Sequence, residues 1–220
     1  MSEFGIRMSG NESYIEDLLK TYLFNNKEFR YLEIGFGTGL TCRAIYDIVL
    51  QNIKHDNYLF YGLELYGGWS IDWNLINKSF KKEEIEVFVN GLSGRCIDSK
   101  ITKVRFFLEK QPREWIKKLN DKIDIIFIDG EHSQPEVTKD FLAIEDKVKK
   151  NGLVLFHDAC LLSQGTDYQS LGNEFINVRK ALRDLGLLDN KRDGWRFHSE
   201  NLASRFRGGD GNGIICIQKT

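Results

Sequence analysis

Little in this chain is extreme, and each thing it lacks removes a class of function. Lys and Arg number 31 against 32 Asp and Glu, for a formal net charge of −1. Such a balance leaves no electrostatic footprint for nucleic acid or for an anionic membrane. Four cysteines, Cys42, Cys96, Cys160 and Cys216, stand far apart with no CxxC pair. Their scatter argues against a structural zinc site or a disulfide framework, and reduced thiols in a cytoplasmic protein are the expectation. No apolar run reaches the roughly 18 residues of a membrane span. The stretch from Met1 to Asn11 is polar and lacks the apolar centre of a signal peptide. There is no internal repeat and no low-complexity segment.

What is present reads as one ordinary α/β domain over residues 1–220, with residues 1–29 as a helical N-terminal extension. Ile15, Leu18, Leu19 and Tyr22 give that extension one apolar face. A short strand, Tyr31 to Ile34, runs into glycines, and a helix carrying Leu40, Ala44, Ile45, Ile48 and Val49 follows. Further strands are expected over Asn57 to Leu65, Val104 to Leu108, Ile123 to Ile128 and Leu153 to Phe156. Gln111 to Leu119 reads as a helix, and a second one opens at Pro135, runs to about Lys149 and stops at Asn151-Gly152. Strands alternating with helices predict a doubly wound, mostly parallel sheet. Trp195 to Phe197 and Ile214 to Ile217 have no helix between them, so they predict an antiparallel hairpin that brings the sheet to seven strands. Tyr66 to Thr102, with Trp69, Trp73 and Phe80, is long for a crossover and is a candidate cover for a site. Within it, Ile85 to Val89 has the character of a further strand.

Open α/β sheets bind ligands at the carboxyl ends of their strands. Gly35, Gly37 and Gly39 follow the first sheet strand directly. Their spacing is G-x-G-x-G, and Leu40 stands in the place of the third small residue of a dinucleotide fingerprint. Glu33, two residues before the first glycine, would repel a pyrophosphate but suits an ammonium group. Glu64 ends the second strand, where an acid can accept both ribose hydroxyls.

A second group follows the two most apolar strands. One ends Phe127-Ile128-Asp129-Gly130-Glu131-His132 and the other Leu155-Phe156-His157-Asp158. Neighbouring strands lie about 4.8 Å apart, so adjacency of these two would bring their tips together. Two carboxylates and an imidazole can hold a divalent cation. His132 titrates near neutrality and is a candidate general base. His55 and His198 read as surface or packing residues.

Glu33-x-Gly35-x-Gly37-x-Gly39 resembles the first motif of class I S-adenosylmethionine (SAM)-dependent methyltransferases, and the resemblance runs from about Tyr31 through the final hairpin. It implies that Glu33 and the three glycines hold the methionine end of SAM and Glu64 its ribose, with Asp129 also on the cofactor side. Phe-Ile-Asp-Gly-x-His followed by Phe-His-Asp resembles the small-molecule O-methyltransferases of macrolide and sugar pathways and their cephalosporin-hydroxylase-like relatives. That resemblance implies a Mg²⁺ or Mn²⁺ site at Asp129, His157 and Asp158, with His132 as base. His157 departs from the Glu of metal-binding members, and imidazole suits transition metals better than Mg²⁺. The expected activity is methyl transfer to a small-molecule hydroxyl, with no nucleic-acid or membrane partner and with a homo-oligomer allowed. Residues 161–173 and 66–102 are expected to meet the acceptor. A hydroxylase-like or non-catalytic SAM-binding member of the same fold is the alternative, and a NAD-dependent oxidoreductase a more distant one.

Overall fold

The computed structural model describes residues 12–23, 28–53, 56–67, 71–90, 92–93, 103–159, 174–201 and 213–220. Cys96, Cys160, His55, Trp69 and residues 161–173 lie outside these. The chain divides into two compact units, Met1–Leu119 and Asn120–Thr220.

The first unit begins with helix α1 (Glu12–Leu23), whose Ile15 and Leu19 are buried and which packs on helix α2. Strand β1 (Phe29–Ile34), helix α2 (Leu40–Asn52) and strand β2 (Tyr58–Leu65) follow. Cys42, Ala44, Ile45, Tyr46 and Val49 form the buried stripe of α2. Helix α3 (Trp73–Ser79), capped by the Asp72 carboxylate, leads to β3 (Ile85–Val89) and the short β4 (Leu92–Ser93). Strand β5 (Val104–Glu109) and helix α4 (Pro112–Lys118) complete the unit. Its strands lie in the order β4-β3-β5-β2-β1, all parallel except the β3–β4 pair. The core is strongly aromatic: Phe29, Tyr31, Phe36, Phe60 and Phe106 are each fully buried. Truncating one such ring to alanine removes about 3–5 kcal/mol.

The second unit consists of β6 (Ile123–Ile128), α5 (Gln134–Ile144), β7 (Val148–Phe156), α6 (Glu174–Asp184), β8 (Trp195–Asn201) and β9 (Ile214–Lys219). The order is β6-β7-β9-β8, with β6 and β7 parallel and both pairings of β9 antiparallel. Every residue of β6 is buried, and Asp124, the one acid in it, is paired with Lys149 at 2.9 Å. Helices α5 and α6 pack together. Glu145, at the end of α5, accepts from Arg192 and from the Trp195 indole, which fastens that end to β8.

Strand–helix alternation, parallel pairing and a closing antiparallel hairpin give the doubly wound, mostly parallel class expected. The seven expected strands are β1, β2, β5, β6, β7, β8 and β9; β3 and β4 add two more, from the stretch 66–102. One boundary needs correction. Helix α5 ends at Ile144, and Val148 to Lys150 already belong to β7. Asn151-Gly152 is therefore not a helix stop but lies inside the strand, where Asn151 has φ 64°. Two residues of β6, Ile123 and Ile125, face Val148 and Leu153, so the residues between bulge out. Gly152 fits because a Cβ there would meet Val148, Lys149 O and Asp124 O at 2.8–3.0 Å.

Candidate active site

The glycine loop of the first unit is built by its backbone. Gly35, Gly37 and Gly39 have φ of 86°, 48° and 73°, a left-handed region that favours glycine. Gly35 and Phe36 both donate to Leu63 O, at 3.0 and 3.3 Å, so the loop is tied to β2. Gly39 donates to Phe36 O and is the N-cap of α2, which has no side-chain cap and no acid in its first turn. That leaves the positive end of the helix dipole open to an anion.

Two carboxylates flank the loop. Glu33, on β1, is 1 % exposed and accepts from the Tyr31 hydroxyl at 2.9 Å. Glu64, at the end of β2, accepts from Gly37 N at 3.0 Å and from Leu65 N at 2.9 Å, one bond to each oxygen. A carboxylate has about four lone-pair sites, more than these two amides use. Burial, and after it the charge of Glu33, push the Cys42 thiol well above its ordinary pKa. Cys42 is thus a neutral packing group rather than a nucleophile. Beyond Glu64, Leu65, Tyr66 and Trp73 are large apolar side chains left about half exposed.

These residues fit SAM. An open helix N-terminus suits the methionine carboxylate, the buried Glu33 suits the ammonium, and Glu64 suits the ribose. A pyrophosphate would meet Glu33 as a like charge.

In the second unit, the ends of β6 and β7 are in register, with Ile128 beside Phe156 and His157 N donating to Ile128 O at 3.0 Å. The turn after β7 holds Asp158 at φ 53°, a conformation Asp tolerates better than most residues. Asp129 Oδ1 lies 2.7 Å from His157 Nδ1 and 3.3 Å from His132 Nε2. The other His132 nitrogen is 3.3 Å from Asp158 Oδ2, and His157 Nδ1 is 3.4 Å from Asp158 Oδ1. All four side chains are 12–27 % exposed, a recessed cluster that solvent still reaches.

The charges hold one another. Burial disfavours the ionised Asp129, but hydrogen bonds from His132 and His157 outweigh it and keep the carboxyl below its usual range. Burial likewise disfavours the charged imidazoles, yet Asp129 and Asp158 raise both His132 and His157 above the ordinary value. One ligand atom from each of the four residues lies within 4.8 Å of the others, a spacing that can hold a cation. Two nitrogens and two oxygens favour a first-row transition ion over Mg²⁺. His132 therefore belongs to the same cluster as the three expected ligands rather than standing apart from them.

Of the remaining sequence candidates, His198 is exposed on β8 and bonds the Ser199 hydroxyl, and it is not part of the Asp129–His132–His157–Asp158 group. Sequence reasoning missed Tyr31, which bonds Glu33, and Phe36 and Gly62, treated below. The i, i+2 spacing of Tyr31 and Glu33 on one strand face is a signal that would have found the first.

The family model described as a methyltransferase domain matches residues 32–159, more than half of the chain, from β1 through the turn that carries Asp158. No curated protein matches the sequence. Among solved structures, the chain is similar to the O-methyltransferase TomG of Streptomyces achromogenes in complex with SAM. There the identity is 12 %, coverage is 96 % of this chain and 79 % of that one, and the TM-score is 0.60. It is similar to the O-methyltransferase of Bacillus cereus in complex with S-adenosylhomocysteine (SAH), at 11 % identity, 96 % and 80 % coverage and TM-score 0.58. SAH-bound methyltransferase PaMTH1 of Podospora anserina gives 16 %, 96 %, 78 % and 0.58. At these identities the likeness is one of fold, and among the described residues no helix is long and apolar enough to cross a membrane. With the family match spanning both the glycine loop and the Asp–His cluster, the chain belongs to the methyltransferase-domain family, the class I SAM-dependent methyltransferases of Rossmann-like fold.

Proposed function

We propose that this methyltransferase moves the methyl group of SAM to a hydroxyl of a small molecule, assisted by a divalent cation. The observation that carries the reading is the Asp129–His132–His157–Asp158 cluster, because a hydroxyl acceptor must lose a proton and these groups handle protons and cations. O-methyltransferases among the structural neighbours support the same choice. Bound SAM supplies a sulfonium methyl already activated for in-line attack by an oxygen nucleophile, which leaves SAH as a neutral thioether.

The chain's own residues position and deprotonate. Glu33 and the loop from Gly35 to Gly39 hold the amino-acid end, and Glu64 the ribose. Asp129, His157 and Asp158 would hold the cation, which would supply positive charge that eases loss of the acceptor proton and offsets the negative charge that raises His132. His132 takes the hydroxyl proton. Exposed Leu65, Tyr66 and Trp73 offer apolar surface to the bound molecules. The buried, neutral thiols Cys42 and Cys216 suit a reducing cytoplasm.

The test is SAH formation with a panel of sugar, macrolide and phenolic hydroxyls, before and after exhaustive chelation and with Mg²⁺, Mn²⁺ or Fe²⁺ restored. Acceptor-dependent SAH that disappears on chelation and returns with one ion supports the reading. Acceptor-dependent SAH that survives chelation removes the cation. Two imidazoles beside carboxylates also match the donor set of non-haem iron oxygenases. Dioxygen consumption with Fe²⁺ and no SAH from any acceptor would select that second reading.

A further inference from the structure

Gly62 interrupts the apolar run of β2, and a glycine inside a strand often marks a close approach by another group. Here the group is the ring of Phe36, the residue between the first two glycines of the loop. A Cβ on Gly62 would lie 2.6 Å from Phe36 Cε2 and 2.8 Å from Cγ, and nearer still to Cδ2. Nothing larger than hydrogen fits beneath that ring. Phe36 is 2 % exposed and stacks on Phe106 at 4.3 Å, with Phe80 at 6.2 Å. Phe106 is the β5 register partner of Gly62, so the ring sits in a notch whose floor is Gly62 and whose wall is Phe106. The loop's other end obeys the same ring, because a Cβ on Gly39 would come within 2.9 Å of Phe36 Cε1. Two residues along β2, the Glu64 carboxylate takes the Gly37 amide.

We propose that Phe36 seated over Gly62 is a lock that sets the Gly35–Gly39 backbone in its SAM-binding shape before the cofactor arrives. Phe36 is a positioning residue: it fixes the three left-handed glycines through their own backbone and needs no contact with SAM. Preformed loops spare the ordering cost on binding, so loosening the lock weakens affinity. The proposal rests on the SAM reading above, and its test separates the two.

Two quantities are measured on the full chain: amide hydrogen exchange across residues 35–39 without ligand, and the Kd for SAM by calorimetry. Each is read at a temperature where circular dichroism shows the variant folded. Gly62→Ala pushes the ring out, so exchange accelerates and Kd rises, each at least about tenfold. Phe36→Ala, which cannot clash and so keeps the test open if Gly62→Ala fails to fold, gives the same two changes. Adding Gly62→Ala to Phe36→Ala then changes neither quantity by more than about twofold, because the ring it would displace is gone. A folded Gly62→Ala with a lower Tm but unchanged exchange and Kd overturns the lock, leaving the ring as core packing alone. Gly62→Ala costing as much without the ring as with it overturns the lock equally. If exchange follows the expected pattern but the wild-type chain binds no SAM, the lock stands and the cofactor reading falls.

Discussion

Replacing Glu64 with alanine tests whether one carboxylate serves both the loop and the ligand. Glu64 is 9 % exposed, so solvent screens its bonds little. It accepts two backbone amides, Gly37 N at 3.0 Å and Leu65 N at 2.9 Å. Hydrogen bonds to a charged group contribute roughly 1.5–3 kcal/mol each. Water can replace part of the loss once the carboxylate is gone, so the expected destabilisation is roughly 2–4 kcal/mol rather than the full sum. In a chain of this size each kcal/mol lowers Tm by roughly 2–4 °C, which puts the fall at roughly 4–16 °C. Glu64→Gln retains one acceptor oxygen and should lose about half as much. Binding of SAM should weaken by roughly 1.5–3 kcal/mol in the alanine variant, about ten- to 150-fold in Kd. Thermal unfolding followed by circular dichroism reads the first quantity and calorimetric titration the second. A Tm within about 1 °C of wild type would show that the carboxylate does not hold the loop; an unchanged Kd would remove it from the ribose site.

The Asp129 cluster makes two further tests. Asp129→Asn, in chelated protein, should cost most stability between about pH 4 and 6.5, set by the ordinary pKa values of 3.8 for Asp and 6.5 for His. Depressed in the fold, Asp129 contributes above its unfolded value and loses that contribution as pH falls; raised in the fold, the two histidines contribute below theirs and lose it as pH rises. Urea unfolding of both proteins from pH 3 to 9 checks this, and a difference that grows towards alkaline pH would contradict it. His132→Ala should lower turnover by roughly 10²–10⁴-fold, the usual range for a general base, while the Kd for SAM stays unchanged. Full turnover in that variant would leave His132 with no catalytic part.

Much of the site was legible because its signals are local. A G-x-G-x-G loop after a buried strand specifies left-handed backbone at fixed positions, and Gly35, Gly37 and Gly39 all adopt it. Asp129 and His157-Asp158 could be paired from sequence because the two most apolar strands of an α/β chain so often lie side by side, as β6 and β7 do. Asn151-Gly152 misled for a physical reason. A positive φ ends a helix and also turns a bulge, so the dipeptide reads the same in both settings, and the pairing of β7 with β6 decided which. The seat of Phe36 over Gly62 was hidden because it joins a loop residue after β1 to a residue inside β2, a contact that no periodicity encodes. The engagement of both His132 nitrogens with carboxylates was hidden likewise, since it depends on the turn that holds Asp158.

Binding of SAM at the glycine loop is the claim on which the rest depends, and isothermal titration of wild type and Gly37→Val with SAM, SAH and NAD tests it most directly. Gly37 has φ 48° and gives its amide to Glu64, so a β-branched side chain there strains the backbone and fills the ligand's approach. Wild type should bind SAM and SAH with one site per chain and ignore NAD, while a folded Gly37→Val should bind none of the three. Wild-type affinity for SAM in the folded valine variant, or binding of NAD in place of SAM by the wild type, would contradict the account.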